Sequence, residues 1–114
     1  MITIWHNPKC SKSREALKLL EEKGTPYEVF KYLETTPSRQ AIADLLQKLG
    51  ISARELMRTK EDVYKELGLA AVTEEAKLID ALAEYPKLIE RPILIEENRA
   101  LIGRPVEKVI EFLD

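Results

Sequence analysis

The chain has 114 residues, 45% of them hydrophobic and 33% charged, with 18 Lys and Arg against 20 Asp and Glu and a formal net charge of −2. That length suits one compact domain over residues 1–114, and the near balance of charge argues against the bulk attraction that gathers nucleic acid or acidic membranes. No apolar run reaches the roughly 20 residues of a membrane span and Met1-Ile2-Thr3-Ile4 lacks a secretory pattern, so a cytoplasmic protein with no membrane partner is expected.

Ile2 to Trp5 reads as a short buried strand, broken by Asn7-Pro8 because proline pushes the residue before it away from helix. A helix should start near Ser11, with Ala16, Leu17 and Leu20 on one face and Lys23-Gly24 at its end. Tyr27 to Lys31 reads as a second strand, which makes a βαβ start with parallel pairing.

The middle of the chain is helical. Ile42, Leu45, Leu46 and Leu49 recur at i, i+3, i+4 and i+7, with Pro37 or Ser38 before them and Gly50 after. Ser52 to Glu55 has capping-box spacing for a brief helix carrying Leu56 and Met57, and Glu61 to Leu67 suits another ahead of Gly68. Thr73 is placed to cap the next helix, with Ala76, Ile79, Leu82 and Ala83 on its buried face until Pro86. These apolar stripes read as core packing.

After Arg91-Pro92 the period changes to that of a strand. Ile93 to Ile95 and Ala100 to Ile102 form a hairpin through Glu96 to Arg99, and Gly103-Arg104-Pro105 leads into a last helix. Pro105 suits its first position, and Val106, Val109, Ile110 and Leu113 suit its inner face. The order β-α-β, helices, β-β-α predicts an α/β fold: a thioredoxin-like mixed sheet with a helical insertion between its halves, at about residues 37–85.

Cys10 is the only cysteine and His6 the only histidine, so neither an intrachain disulfide nor a usual zinc site can form. A free cysteine is often buried as a small apolar residue. Cys10, however, stands where a strand turns into an amphipathic helix, within reach of backbone amides and a dipole that stabilise a thiolate. Lowering a thiol pKa by about two units requires about 2.7 kcal/mol, and a helix end supplies about 0.3–1 kcal/mol. Further positive charge is therefore required. Lys9, Lys12, Arg14 and a protonated His6 are the local candidates, and His6 in that state could also return a proton. Asn7 reads locally as a turn residue.

The run His6-Asn7-Pro8-Lys9-Cys10-Ser11-Lys12-Ser13-Arg14 resembles the active-site signature of glutaredoxin-coupled arsenate reductases. The resemblance extends through Tyr32-Leu33-Glu34, Glu55-Leu56-Met57-Arg58, the Tyr64 to Leu69 segment, Glu90-Arg91-Pro92-Ile93 and Gly103-Arg104-Pro105. It implies that Cys10 is the nucleophile, that His6 helps hold its thiolate, and that Arg58, Arg91 and Arg104 gather around the oxyanion. Pro92 would be the cis-proline facing the cysteine, with Asn7 and Ser13 shaping the site. No bound cofactor is implied. Arsenate would be the substrate, glutathione the co-substrate and glutaredoxin the protein partner. Guanidinium groups suit this chemistry, because their paired donors match tetrahedral oxyanions.

The phosphatase-like class of arsenate reductase, with its C-x5-R motif and extra cysteines, is excluded, since Arg14 lies four positions after Cys10. Two other readings stay open. A transcription regulator of the Spx type would bind RNA polymerase and often carries C-x-x-C, where this chain has Ser13. A generic monothiol oxidoreductase acting on glutathione mixed disulfides would need Cys10 but not the three arginines.

Overall fold

The computed structural model describes all residues, Met1–Asp114. The chain divides into two compact units, one made of Met1–Thr35 with Arg91–Asp114 and the other of Thr36–Glu90. No helix is long and apolar enough to cross a membrane.

The first unit holds β1 (Ile2–Trp5), α1 (Ser11–Glu22), β2 (Tyr27–Phe30), β3 (Ile93–Ile95), β4 (Ala100–Ile102) and the last helix of the chain, α6 (Glu107–Leu113). Its mixed sheet has the order β2-β1-β3-β4. β1 runs parallel to β2, as a helical crossover requires, and antiparallel to β3, which pairs antiparallel with β4. This is the thioredoxin-like arrangement expected from the order of elements. Ile2, Ile4 and Leu94 from the sheet pack with Ala16 and Leu20 of α1 and Val109 and Phe112 of α6 to form the core.

Register decides which loops share an end of the sheet. Trp5 pairs with Phe30 and with Ile93, and Ile93 pairs with Ile102. The residues after β1, those before β3 and those after β4 therefore leave from one edge. The His6 amide donates to Phe30 O at 2.9 Å and the Gly103 amide to Pro92 O at 2.8 Å, which extends the pairing into the loops. Peptides Arg91-Pro92 and Arg104-Pro105 are both cis.

The second unit contains α2 (Arg39–Leu49), α3 (Ala53–Leu56), α4 (Asp62–Glu66) and α5 (Glu75–Glu84), with short 3-10 turns at Leu69–Ala71 and Pro86–Leu88. Ser38 caps α2 by accepting from the Ala41 amide at 3.0 Å, and Gly50 closes it in the left-handed region, with φ of 68°. Arg54 ties the short elements together by donating to the Tyr64 hydroxyl and to the carbonyls of Leu69 and Val72.

Three expectations need correction. Thr73 does not cap α5: Glu74 occupies that position and its side chain makes no cap bond. The buried face of α5 is Leu78, Ala81 and Leu82, while Ala76 is exposed; the larger leucine gains more by leaving water. The last helix starts at Glu107, with Val106 rather than Pro105 flanking it, and Ile110 remains 39% exposed while Phe112 turns inward. Phe112 is held there by Arg99, whose guanidinium lies 3.9 Å from the ring centroid and whose Nη2 donates to Phe112 O at 2.7 Å.

Gly103 allows this edge of the sheet to close. A Cβ there would lie 2.9 Å from Val109 Cγ2 and 3.0 Å from Pro92 Cγ. Both neighbours are buried and stiff, so Gly103→Ala is expected to destabilise the fold by about 1–3 kcal/mol, read as a lower urea midpoint with an unchanged slope.

Candidate active site

Asn7 builds the approach to the cysteine. Its Oδ1 accepts from the Lys9 amide at 3.0 Å and its main-chain oxygen accepts from the Cys10 amide at 3.0 Å. This side-chain and main-chain turn brings Cys10 to the N-cap of α1 in extended conformation. The Asn7 amide donates to Ser13 Oγ at 3.0 Å, and Ser13 Oγ lies 2.7 Å from His6 Nδ1. Ser13 is fully buried and His6 is 6% exposed. A closed polar network thus fixes the loop against the first turn of the helix.

Cys10 is buried, and burial alone pushes its thiol up; this is the largest single influence on it. The Ser13 amide, the nearby Arg91 guanidinium and the Lys12 amide act the other way and together prevail, leaving the thiol below its ordinary pKa. The sulfur makes no cap hydrogen bond of standard geometry, so the amides act as nearby aimed dipoles.

The cation required by the sequence-level energetics is Arg91, from a distant segment, rather than the local candidates. Lys12 pairs with Glu15 at 3.9 Å, and Arg14 Nη1 donates to Pro8 O at 2.9 Å. Burial above all, with the charges of Lys31 and Arg14, holds the His6 imidazole below its ordinary pKa and so disfavours the expected imidazolium. The ring touches the site through Ser13. Lys31 was missed as a neighbour because it lies far off in the chain and approaches only through the pairing of β1 with β2.

Arg91 is the most unusual side chain of the site. Its Nε and Nη1 are buried and make no hydrogen bond. Such donors carry a desolvation cost that an anion beside Cys10 would remove. Arg104 leaves the same edge of the sheet, is exposed and enters no ion pair. Cys10, His6, Asn7, Ser13, Arg91, Pro92 and Arg104 all belong to the first unit, whereas Arg58 belongs to the second. There its amide donates to Leu88 O at 2.7 Å, its Nη1 pairs with Glu61, and its Nε lies 3.8 Å from Glu90 Oε1.

Fold and site together define a thioredoxin-like protein with a thiol at a helix start and, beside it, an arginine whose Nε and Nη1 are buried without a partner. The chain belongs to the ArsC family, whose profile matches residues 5–112. It is 55% identical over 115 residues to the uncharacterized protein YfgD of Escherichia coli K12, covering 98% of this chain and 96% of that one. It is also 50% identical over 110 residues to an arsenate reductase of Neisseria meningitidis, covering 95% and 94%. The structure of an arsenate reductase from Vibrio cholerae superposes with a TM-score of 0.92 at 51% identity, covering 96% of this chain and 95% of that one.

Two measurements check the electrostatics. Iodoacetamide should alkylate Cys10 with a pH midpoint below that of a free thiol, and Arg91→Ala should move the midpoint up. The single histidine should titrate by NMR below 6.5. Because the unfolded chain takes up that proton first, stability should fall as pH drops from 6.5 through the folded pKa, and His6→Asn should remove this part of the slope in urea melts.

Proposed function

We propose that the protein reduces arsenate to arsenite through a covalent adduct on Cys10, with glutathione as co-substrate and glutaredoxin as partner. The observation that carries this reading is the Arg91 guanidinium, whose Nε and Nη1 are buried and unpartnered, acting on a thiol held below its ordinary pKa. A thiolate alone suits many reactions, but a desolvated guanidinium beside it suits one on an oxyanion.

The Cys10 thiolate attacks arsenic: an S–As bond forms, an As–O bond breaks, and the departing oxygen leaves as water after taking up protons. Arsenic is still pentavalent, and Arg91 offsets the charge on its oxygens. The resemblance adds Arg58 and Arg104 as further ligands, on the strength of their motif positions. A glutathione thiolate then attacks the Cys10 sulfur, forming S–S and breaking S–As; the electron pair stays on arsenic, which departs as arsenite. The mixed disulfide is resolved by a glutaredoxin thiol. A chain with one cysteine must obtain its second sulfur from outside, and this sequence of steps does so.

The test is a coupled assay with glutathione, glutaredoxin, glutathione reductase and NADPH. Arsenate-dependent NADPH oxidation is expected; it should vanish in Cys10→Ser and fall about a hundredfold or more in Arg91→Ala. Absence of arsenate-dependent oxidation in the wild type overturns the reading. If Arg91→Ala leaves reduction of a glutathione mixed disulfide intact and arsenate does not turn over, the protein is a generic monothiol oxidoreductase.

A further inference from the structure

Arg58 faces more negative charge than its guanidinium neutralises. Glu61 pairs with its Nη1, and Glu90 Oε1 lies 3.8 Å from its Nε. Two carboxylates against one guanidinium leave the group at a net −1.

The Glu61 pair is the most sheltered of the four i,i+3 ion pairs of the chain. Its side chains are 27% and 17% exposed, against 47% and 49% for Lys12 with Glu15, 65% and 67% for Lys77 with Glu74, and 55% and 31% for Arg99 with Glu96. Exposed pairs of that kind contribute little; a sheltered one is screened less by salt. Glu61 also occupies the N-cap of α4, where an acidic side chain could accept from the helix's first amides, yet it makes no cap bond. Its carboxylate is turned to Arg58 instead. The backbone holds the pair in place: Arg58 N donates to Leu88 O at 2.7 Å, Glu90 N to Leu56 O at 2.9 Å, and Glu61 N to Arg58 O at 3.2 Å.

We propose that Glu61 is a positioning residue that occupies Arg58 as an internal anion and competes with the substrate oxyanion for that guanidinium, so that Glu61 sets the affinity of the protein for oxyanions. The inference rests on the reading of Arg58 as an oxyanion ligand. An incoming dianion would bring the set to −3 if both carboxylates stayed charged and in place, so the exchange lowers affinity. Glu90 remains as the second anchor when Glu61 yields.

Glu61→Gln keeps the shape and an acceptor oxygen but removes the charge. It is expected to lower KM for arsenate about three- to tenfold, the effect of removing one partly screened charge beside Arg58, with kcat within about twofold. A purely structural glutamate would give the opposite sign, a raised KM. In an Arg58→Ala background the substitution should change KM no further, since the effect passes through Arg58. Calorimetric titration with arsenate and with inorganic phosphate supplies a readout independent of turnover. Tighter binding by Glu61→Gln without turnover in the wild type would sustain this inference and overturn the reductase reading. Turnover in the wild type with unchanged or weaker oxyanion binding in Glu61→Gln would overturn the inference alone. Failure of every form to bind either oxyanion would overturn both.

Discussion

A thiolate held at a largely buried position has to be compensated, and the site is arranged around that requirement. Burial raises the cost of charging Cys10 and is the largest single influence on it; two helix amides and the Arg91 guanidinium outweigh that cost. The balance depends on distance, because dipoles and charges of this size fall off within one turn or a few ångströms. The Asn7 turn, the Ser13 hydroxyl and the buried His6 ring fix those distances through their hydrogen bonds to one another and to the loop backbone. A neutral imidazole suits such a network, because it packs and hydrogen-bonds without adding a second buried charge to desolvate.

The sheet supplies the other half of the arrangement. β1 lies between a parallel and an antiparallel neighbour, and that mixture brings the end of β1, the start of β3 and the end of β4 to one edge. Arg91 thereby approaches a cysteine some eighty positions earlier in the chain. Gly103 allows the loop after β4 to lie against Pro92 and Val109, so one missing Cβ helps define where Arg91 and Arg104 begin. Arg91 comes to this edge with two buried donors unpartnered, whereas Arg58 is already held by carboxylates. The arginines are therefore not equivalent.

Much of the fold could be read directly from residue order. The strand at Ile2–Trp5, the helix from Ser11, the Ser38 and Gly50 boundaries of α2 and the hairpin after Pro92 all follow from local chemistry: period, caps and breakers. The differences arose at helix ends and faces. Helix α5 starts after Glu74 rather than Thr73, and Phe112 rather than Ile110 faces inward. Packing against α2 and α3 in one case and against Arg99 in the other decided them, and neither neighbour is visible from within the segment.

The same division holds for the site. Sequence by itself determined that one thiol stands at a strand-to-helix turn, that it has no intrachain sulfur partner, and that its helix could not supply all the stabilisation a thiolate needs; those conclusions depend on residue identity and short-range order. Family resemblance named the arginines. Only the tertiary structure decided that Arg91 comes close enough to Cys10 to favour its thiolate, that the charge of Lys31 acts on the imidazole, and that Glu61 and Glu90 hold Arg58. Burial and long-range charge are properties of three-dimensional proximity, and strand register sets them between residues that the sequence keeps far apart.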